Sequence, residues 1–161
     1  MKEFVVRYIY LDSWKNLPED EKTLVEQAYN IAEKAYAPYS KFYVGASVLL
    51  EDGTVVLGSN QENIAFPSGT CAERTALFYA GANFPDKKIK KIVVVAKGDF
   101  VDTENVLSPC GSCRQVMLES EQRQKEPIEV ILVSQNEKTI RLKQVQDLLP
   151  FAFTESNKLE E

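Results

Sequence analysis

A chain of 161 residues, 44% of them hydrophobic, is long enough to bury one core without disulfides. The net charge of −5 and the sequence pI near 5.0 disfavour a nucleic-acid partner, because an acidic protein repels a phosphate backbone. The chain contains no apolar run of about 18 residues, and charged residues interrupt its apolar start. We therefore expect no membrane partner, membrane anchor or signal peptide.

Cysteine and histidine usage narrows the possible chemistry. Three cysteines cannot all pair within one chain, so reduced thiols in a cytoplasmic protein are the simpler expectation. The sequence contains no histidine. This absence removes the most common metal ligand and the most common general base.

The first part of the chain predicts a strand, a helix and a hairpin. Residues 4–10 are rich in β-branched and aromatic side chains, which favours a short strand at a sheet edge or a subunit contact. Pro18 and the acidic residues after it mark a helix start, and apolar residues at helical spacing continue until Pro38. Residues 42–50 alternate and lead through a turn into 54–57, which predicts a hairpin with one buried face.

The rest of the chain completes an alternating pattern. It predicts, in order, a loop at 60–69, a helix at 71–82, a buried strand at 92–96, a helix from about Pro109, a buried strand at 130–133 and a short strand at 139–142. This order predicts an α/β fold, a three-layer α/β/α sandwich around a mixed five-stranded sheet. We expect one domain over residues 1–161, with an N-terminal extension at 1–15 and a polar tail at 155–161.

The three cysteines lie where helices are predicted to start. They are Cys71, Cys110 and Cys113. Thr70 and Glu73 fit a capping box, while Ser108 and Pro109 fit an N-cap followed by a first-position proline. Helix N-termini favour anions such as thiolates. If the two helices start on neighbouring strand ends, the three sulfurs can meet around one metal ion.

The number of sulfur ligands predicts a catalytic rather than a structural site. Three thiolates favour zinc, and a structural zinc site needs a fourth Cys or His that this chain lacks. The fourth position is therefore expected to hold water. Glu73, two residues beyond Cys71, is placed to take a proton from that water and return it to a substrate. Arg74 is expected to donate to the ligand sulfurs and offset their charge.

Several motifs resemble the short, three-cysteine cytidine deaminases. They are Ala-Pro-Tyr-Ser-Lys-Phe-Tyr-Val-Gly-Ala at 37–46, Asn-Gln-Glu-Asn at 60–63, Cys-Ala-Glu-Arg-Thr-Ala at 71–76, Pro-Cys-Gly-Ser-Cys-Arg-Gln at 109–115 and Leu-Leu-Pro at 148–150. The motifs occur in the family's order and cover roughly residues 20–155. The resemblance implies zinc-dependent hydrolysis of cytidine and deoxycytidine to uridine and deoxyuridine, with release of ammonia, in pyrimidine salvage. Glu73 would protonate the ring nitrogen and later the leaving amine.

The same resemblance assigns the remaining site residues. In similar enzymes the second motif holds the ribose hydroxyls, which maps to Asn60 and Glu62, and an aromatic residue equivalent to Phe42 packs on the base. The main chain around Ala72 would contact the pyrimidine edge. Phe153 would reach a neighbouring subunit's site. This implies a homotetramer with sites near the subunit interfaces and one zinc per subunit.

Simpler local interpretations remain open at several of these positions. Glu73 could act only as a helix-capping partner, and Asn60 and Glu62 could be solvated loop residues. Phe42 could be a core residue alone, and Arg74 an ordinary first-turn surface residue.

Three rival functions also remain. A deaminase of another aminated pyrimidine, such as a nucleoside antibiotic, would share the zinc chemistry with different contacts. A non-catalytic zinc module would close the fourth metal position with Glu73 or a partner's group. A nucleic-acid editing enzyme would need a basic channel, which the acidic composition disfavours.

Overall fold

The computed structural model describes residues 1, 3–98 and 106–154. Its strands are β1 (Tyr8–Leu11), β2 (Tyr43–Leu50), β3 (Val55–Ser59), β4 (Ile89–Lys97), β5 (Glu129–Val133) and β6 (Thr139–Leu142). Its helices are α1 (Glu19–Ala32), α2 (Ala72–Asn83) and α3 (Gly111–Gln124). No helix in the described part of the chain is long and apolar enough to span a membrane. The polar tail predicted at 155–161 lies outside the described residues.

The strands form one mixed sheet in the order β1-β6-β5-β4-β2-β3. Only β4 and β5 pair in parallel, whereas the other neighbours are antiparallel. The predicted three-layer α/β/α class is confirmed, but the predicted five strands are one too few. The sixth is β1, which pairs with β6 at the sheet edge and begins later than the strand predicted at 4–10.

The central strands supply both apolar cores, as their continuous hydrophobic runs predict. Val93 and Val95 of β4 pack with α1 on one face of the sheet. Ile92 and Val94 pack on the other face with α2 and α3. The helices therefore lie on opposite faces, and α2 and α3 share a layer.

The prediction of one buried face for the hairpin is wrong, because β2 is covered on both sides. Small residues of β2 allow α1 to lie close to it. A Cβ atom at Gly45 would lie 1.9 Å from the carbonyl oxygen of Ala28, so only glycine fits there. The Ser47 hydroxyl is buried and donates to the carbonyl of Leu24 at 2.9 Å.

Helix α1 ends at Ala32, earlier than the helix predicted to continue until Pro38. The chain leaves the helix because Tyr36 bonds instead to the loop after β3. Its amide donates to the carbonyl of Asn60 at 3.0 Å, and its carbonyl accepts from the amide of Glu62 at 2.8 Å. This pairing brings the turn at 38–41 beside residues 60–62.

Candidate active site

Two cysteines occupy the N-cap positions of α2 and α3. They are Cys71 and Cys110, and Cys113 follows in the first turn of α3. Neither N-cap carries a side-chain hydrogen bond, so the predicted caps at Thr70 and Ser108 are wrong and both helices begin later than expected. The uncapped first turns place partial positive charge close to all three sulfurs.

A glycine on β3 fixes the position of α2. A Cβ atom at Gly58 would lie 2.6 Å from the carbonyl oxygen of Ala72 and 2.6 Å from the amide nitrogen of Ala76. Both alanines are fully buried. The first turn of α2 therefore packs directly against β3, the edge strand of the sheet. Cys71 and Glu73 lie at this start of the helix.

The three thiols form a cluster of suitable size for zinc. All three Sγ atoms lie within 4.8 Å of one another, and those of Cys110 and Cys113 are 3.4 Å apart. Tetrahedral zinc with Zn–S bonds of about 2.3 Å implies sulfur separations of about 3.8 Å. No further cysteine, histidine or carboxylate joins the cluster within residues 1, 3–98 and 106–154. The donor set fits zinc with one position left for a non-protein ligand.

Arg74 contacts the cluster. Its Nη2 atom lies 3.6 Å from the Sγ of Cys71. Hydrogen bonding from Cys113, followed by that from Arg74, lowers the pKa of Cys71 to about 5. The guanidinium therefore supports the thiolate form of a candidate ligand.

Glu73 lies beside the thiols and is 4% exposed. Burial raises its pKa to about 7, and the charge of Cys71 acts in the same direction. Its carboxylate does not belong to the thiol cluster. Because Cys71 rather than Thr70 is the N-cap of α2, Glu73 is not the partner of Thr70 in the predicted capping box.

A cavity of about 660 Å³ opens next to the cluster. Seven of the ten predicted site residues line it: Phe42, Asn60, Glu62, Cys71, Glu73, Arg74 and Cys110. Cys113 and Ala72 are buried and do not line it. Phe153 is 87% exposed and lies outside it, where its carbonyl accepts from Gln115 Nε2 at 2.8 Å. The structure does not bring Phe153 into the cavity of its own chain.

Asn60 connects the cavity to the start of β2. Its Oδ1 accepts from the amide of Val44 at 2.8 Å, and its Nδ2 donates to the carbonyl of Phe42 at 2.8 Å. Phe42 is partly buried against the core while it also lines the cavity. The two alternatives for Phe42, core packing and contact with a ligand, are therefore compatible.

Glu62 is held by two residues that sequence reasoning did not single out. Its Oε2 accepts from the amides of Tyr39 at 2.9 Å and Ser40 at 3.3 Å, and its Oε1 accepts from the Ser40 hydroxyl. Burial alone would raise the pKa of Glu62, but these bonds lower it below its usual value. In the sequence, Pro-Tyr-Ser at 38–40 is typical of a turn, but it does not indicate that Glu62 is the residue bound there.

Arg114 is another residue whose contacts the sequence does not predict. Its Nη2 donates to the Ser108 hydroxyl at 2.6 Å, and its Nε donates to the carbonyl of Pro109 at 2.9 Å. Its Nη1 reaches the carbonyl of Leu148 at 3.0 Å. Arg114 thus joins the segment before Cys110 to the C-terminal segment.

A three-thiol site at two helix starts, with a buried glutamate that is not a ligand, is typical of the zinc deaminases. The model of the cytidine and deoxycytidylate deaminase zinc-binding region matches residues 18–126. The chain belongs to this family, and zinc is the metal that its three-cysteine cluster fits.

Individual relatives agree with this assignment. A cytidine deaminase from Sporosarcina psychrophila is 47% identical over 100 residues, which are 62% of this chain and 69% of that protein. A cytidine deaminase from Mycobacterium tuberculosis is 34% identical over 134 residues, 83% of this chain and 90% of that protein. The crystal structure of cytidine deaminase from Burkholderia pseudomallei is 40% identical and superposes with a TM-score of 0.67. It covers 82% of this chain and 98% of that one.

Proposed function

We propose that this chain is a zinc-dependent deaminase that hydrolyses cytidine and deoxycytidine to uridine and deoxyuridine, releasing ammonia. The position of Glu73 carries the proposal, because its buried carboxylate shares one cavity with the thiol cluster and with polar groups suited to a sugar. Cys71, Cys110 and Cys113 would hold one zinc ion per chain. When bound, zinc supplies a Lewis acid that activates water for attack on the aminated ring carbon.

Glu73 moves the protons of this reaction. Its carboxylate takes a proton from the attacking water and delivers it to the ring nitrogen. It then takes the second proton from the new hydroxyl group on the ring carbon, which becomes the carbonyl, and transfers it to the leaving amine as the C–N bond breaks. One water is consumed and one ammonia is released, so the carboxylate ends in its starting state. Burial of Glu73 limits exchange of the proton with bulk water.

Other residues that line the cavity bind the rest of the nucleoside. Asn60 and Glu62 hold the ribose hydroxyls, Phe42 packs on the base, and the main chain around Ala72 contacts the pyrimidine edge. A cavity of about 660 Å³ is in the range of small-molecule sites. Arg74 keeps the thiolate charge of Cys71 balanced from outside the metal's ligand set.

The assembly we propose is a homotetramer in which Phe153 reaches a neighbour's site. Two aromatic side chains support this assembly, because Phe151 and Phe153 are 94% and 87% exposed on a segment that α3 anchors through Gln115. A cytoplasmic location and a role in pyrimidine salvage complete the proposal. The three free cysteines suit a reducing compartment.

The decisive test uses the zinc-loaded protein with cytidine, deoxycytidine, free cytosine and blasticidin S. Loss of ultraviolet absorbance with equimolar ammonia release should occur with the two nucleosides and be far slower with free cytosine. Turnover of blasticidin S alone would assign the chain to another aminated substrate. Stoichiometric zinc without turnover of any compound would show a non-catalytic zinc module and contradict the proposal.

A further inference from the structure

The turn at 38–41 is built to hold one hydroxyl group in place. The amide of Lys41 donates to the carbonyl of Ala37 at 3.1 Å, and Lys41 adopts a left-handed conformation with φ of 56°. A Cβ atom at Gly98 would lie 2.5 Å from the carbonyl oxygen of Lys41. The turn therefore packs closely against the end of β4, with Ser40 facing the cavity.

The Ser40 hydroxyl has one defined direction. Its Oγ accepts a hydrogen bond from the amide of Phe42 at 3.1 Å, and it donates to Oε1 of Glu62. A hydroxyl carries a single proton, so the proton of Ser40 is committed to the carboxylate. One side chain thus links Phe42 to Glu62, the residues proposed to contact the base and the sugar.

The bonds on Glu62 leave few acceptor positions for a ligand. An ionised carboxylate offers about four acceptor positions, two on each oxygen. Two amides occupy Oε2, and the Ser40 hydroxyl occupies one position of Oε1. The remaining position lies on Oε1, and Glu62 lines the cavity. A ligand group there must donate a hydrogen bond.

We propose that Ser40 is a positioning residue that aims the last acceptor position of Glu62 at one sugar hydroxyl, and thereby sets selectivity for an intact sugar over one that lacks hydroxyls. This inference rests on the proposed deaminase function. Without the Ser40 hydroxyl, Oε1 loses its fixed partner. The carboxylate can then rotate while Oε2 keeps its two hydrogen bonds from the backbone amides of Tyr39 and Ser40. The free acceptor is then no longer held toward the substrate.

The test compares cytidine with 2′,3′-dideoxycytidine, which lacks both hydroxyls of the sugar ring. In the Ser40→Ala variant we expect the ratio of kcat/KM for cytidine to that for dideoxycytidine to fall about tenfold, mainly through KM for cytidine. Ser40→Thr keeps the hydroxyl and should retain most of the ratio. Ser120→Ala is the matched control, because that hydroxyl donates to the carbonyl of Val116 within α3 at 3.0 Å and lies outside the cavity lining.

Each outcome is informative. A purely structural defect in Ser40→Ala would lower both rates equally and leave the ratio unchanged, which would overturn the inference even if the variant is less stable. A loss in Ser40→Thr as large as that in Ser40→Ala would also overturn it. Absence of cytidine turnover in the wild type would overturn the proposed function and this inference together. An active wild type with an unchanged ratio in Ser40→Ala would overturn this inference alone.

Discussion

The two sides of the cavity are built in different ways. The metal side consists of Cys71, Glu73 and Cys110, at the starts of helices that pack on the sheet. The proposed sugar side consists of Ser40 and Glu62, on partly exposed loops joined by hydrogen bonds. On the metal side, packing of the helix start buries the Glu73 carboxylate, whereas on the proposed sugar side hydrogen bonds fix the direction of the Glu62 carboxylate.

The largest expected effect is on the metal side. Glu73→Gln should lower kcat by about 10²- to 10⁴-fold, because the amide cannot carry the proton. Zinc content should remain at the wild-type level, since Glu73 lies outside the thiol cluster. Glu26→Gln, an exposed change on α1, is the control. Cytidine turnover and zinc content are measured on the same samples. A Glu73→Gln variant with full zinc content and the wild-type rate would contradict the role of Glu73 in proton transfer.

On the sugar side, Glu62→Gln should act mainly on binding. Hydrogen bonds to charged groups contribute about 1.5–3 kcal/mol, so kcat/KM for cytidine should fall about tenfold or more, with the larger part in KM. The amide also presents an NH2 group to the donors of Tyr39 and Ser40. Steady-state kinetics with cytidine and free cytosine provide the measurement. An equal loss with both substrates would argue against a sugar contact.

Arg74 tests how far the metal side depends on groups beyond the ligands. Arg74→Ala should reduce zinc affinity or turnover by about 10- to 100-fold, because Cys71 loses its positively charged donor. Arg74→Lys should recover part of the loss, since it keeps the charge without the planar donor group. Competition with a zinc chelator measures the affinity. If Arg74→Ala changes neither zinc affinity nor the rate of turnover, the contact with Cys71 contributes to neither metal binding nor catalysis.

The smallest effects concern the packing that positions α2. Gly58→Ala should lower the free energy of unfolding by about 1–3 kcal/mol, because the new methyl group meets the backbone of Ala72 and Ala76. Gly81→Ala, within α2 and with its nearest contact 3.8 Å away at Arg123, should instead raise it by up to about 1 kcal/mol. Urea denaturation distinguishes the two signs. A neutral Gly58→Ala would show that α2 can shift without cost.

The sequence predicted the features that depend on local patterns. The runs of β4 and β5 identified strands buried on both faces, and the count of Cys71, Cys110 and Cys113 without histidine predicted an open metal site. The short β6 was also placed at Thr139–Leu142, where the structure has it. These features follow from periodicity and ligand chemistry, which a single sequence displays directly.

Features that depend on distant partners were missed. Gly45 and Ser47 give β2 a second buried face that hydrophobic alternation does not reveal, because their small size matters only once α1 lies against them. The bonds from Ser40 to Glu62 join residues 22 positions apart, and neither residue alone indicates the other. The helix starts shifted because the cysteines themselves took the N-cap positions.

Zinc-dependent deamination at the three-cysteine site is tested most directly by titrating zinc into the metal-free protein. Cytidine turnover is followed at each addition. We expect activity to be absent without metal, to rise linearly with added zinc, and to stop rising at one zinc per chain, since Cys71, Cys110 and Cys113 form a single cluster. Full activity in metal-free protein, or saturation with zinc without any deamination, would contradict this expectation.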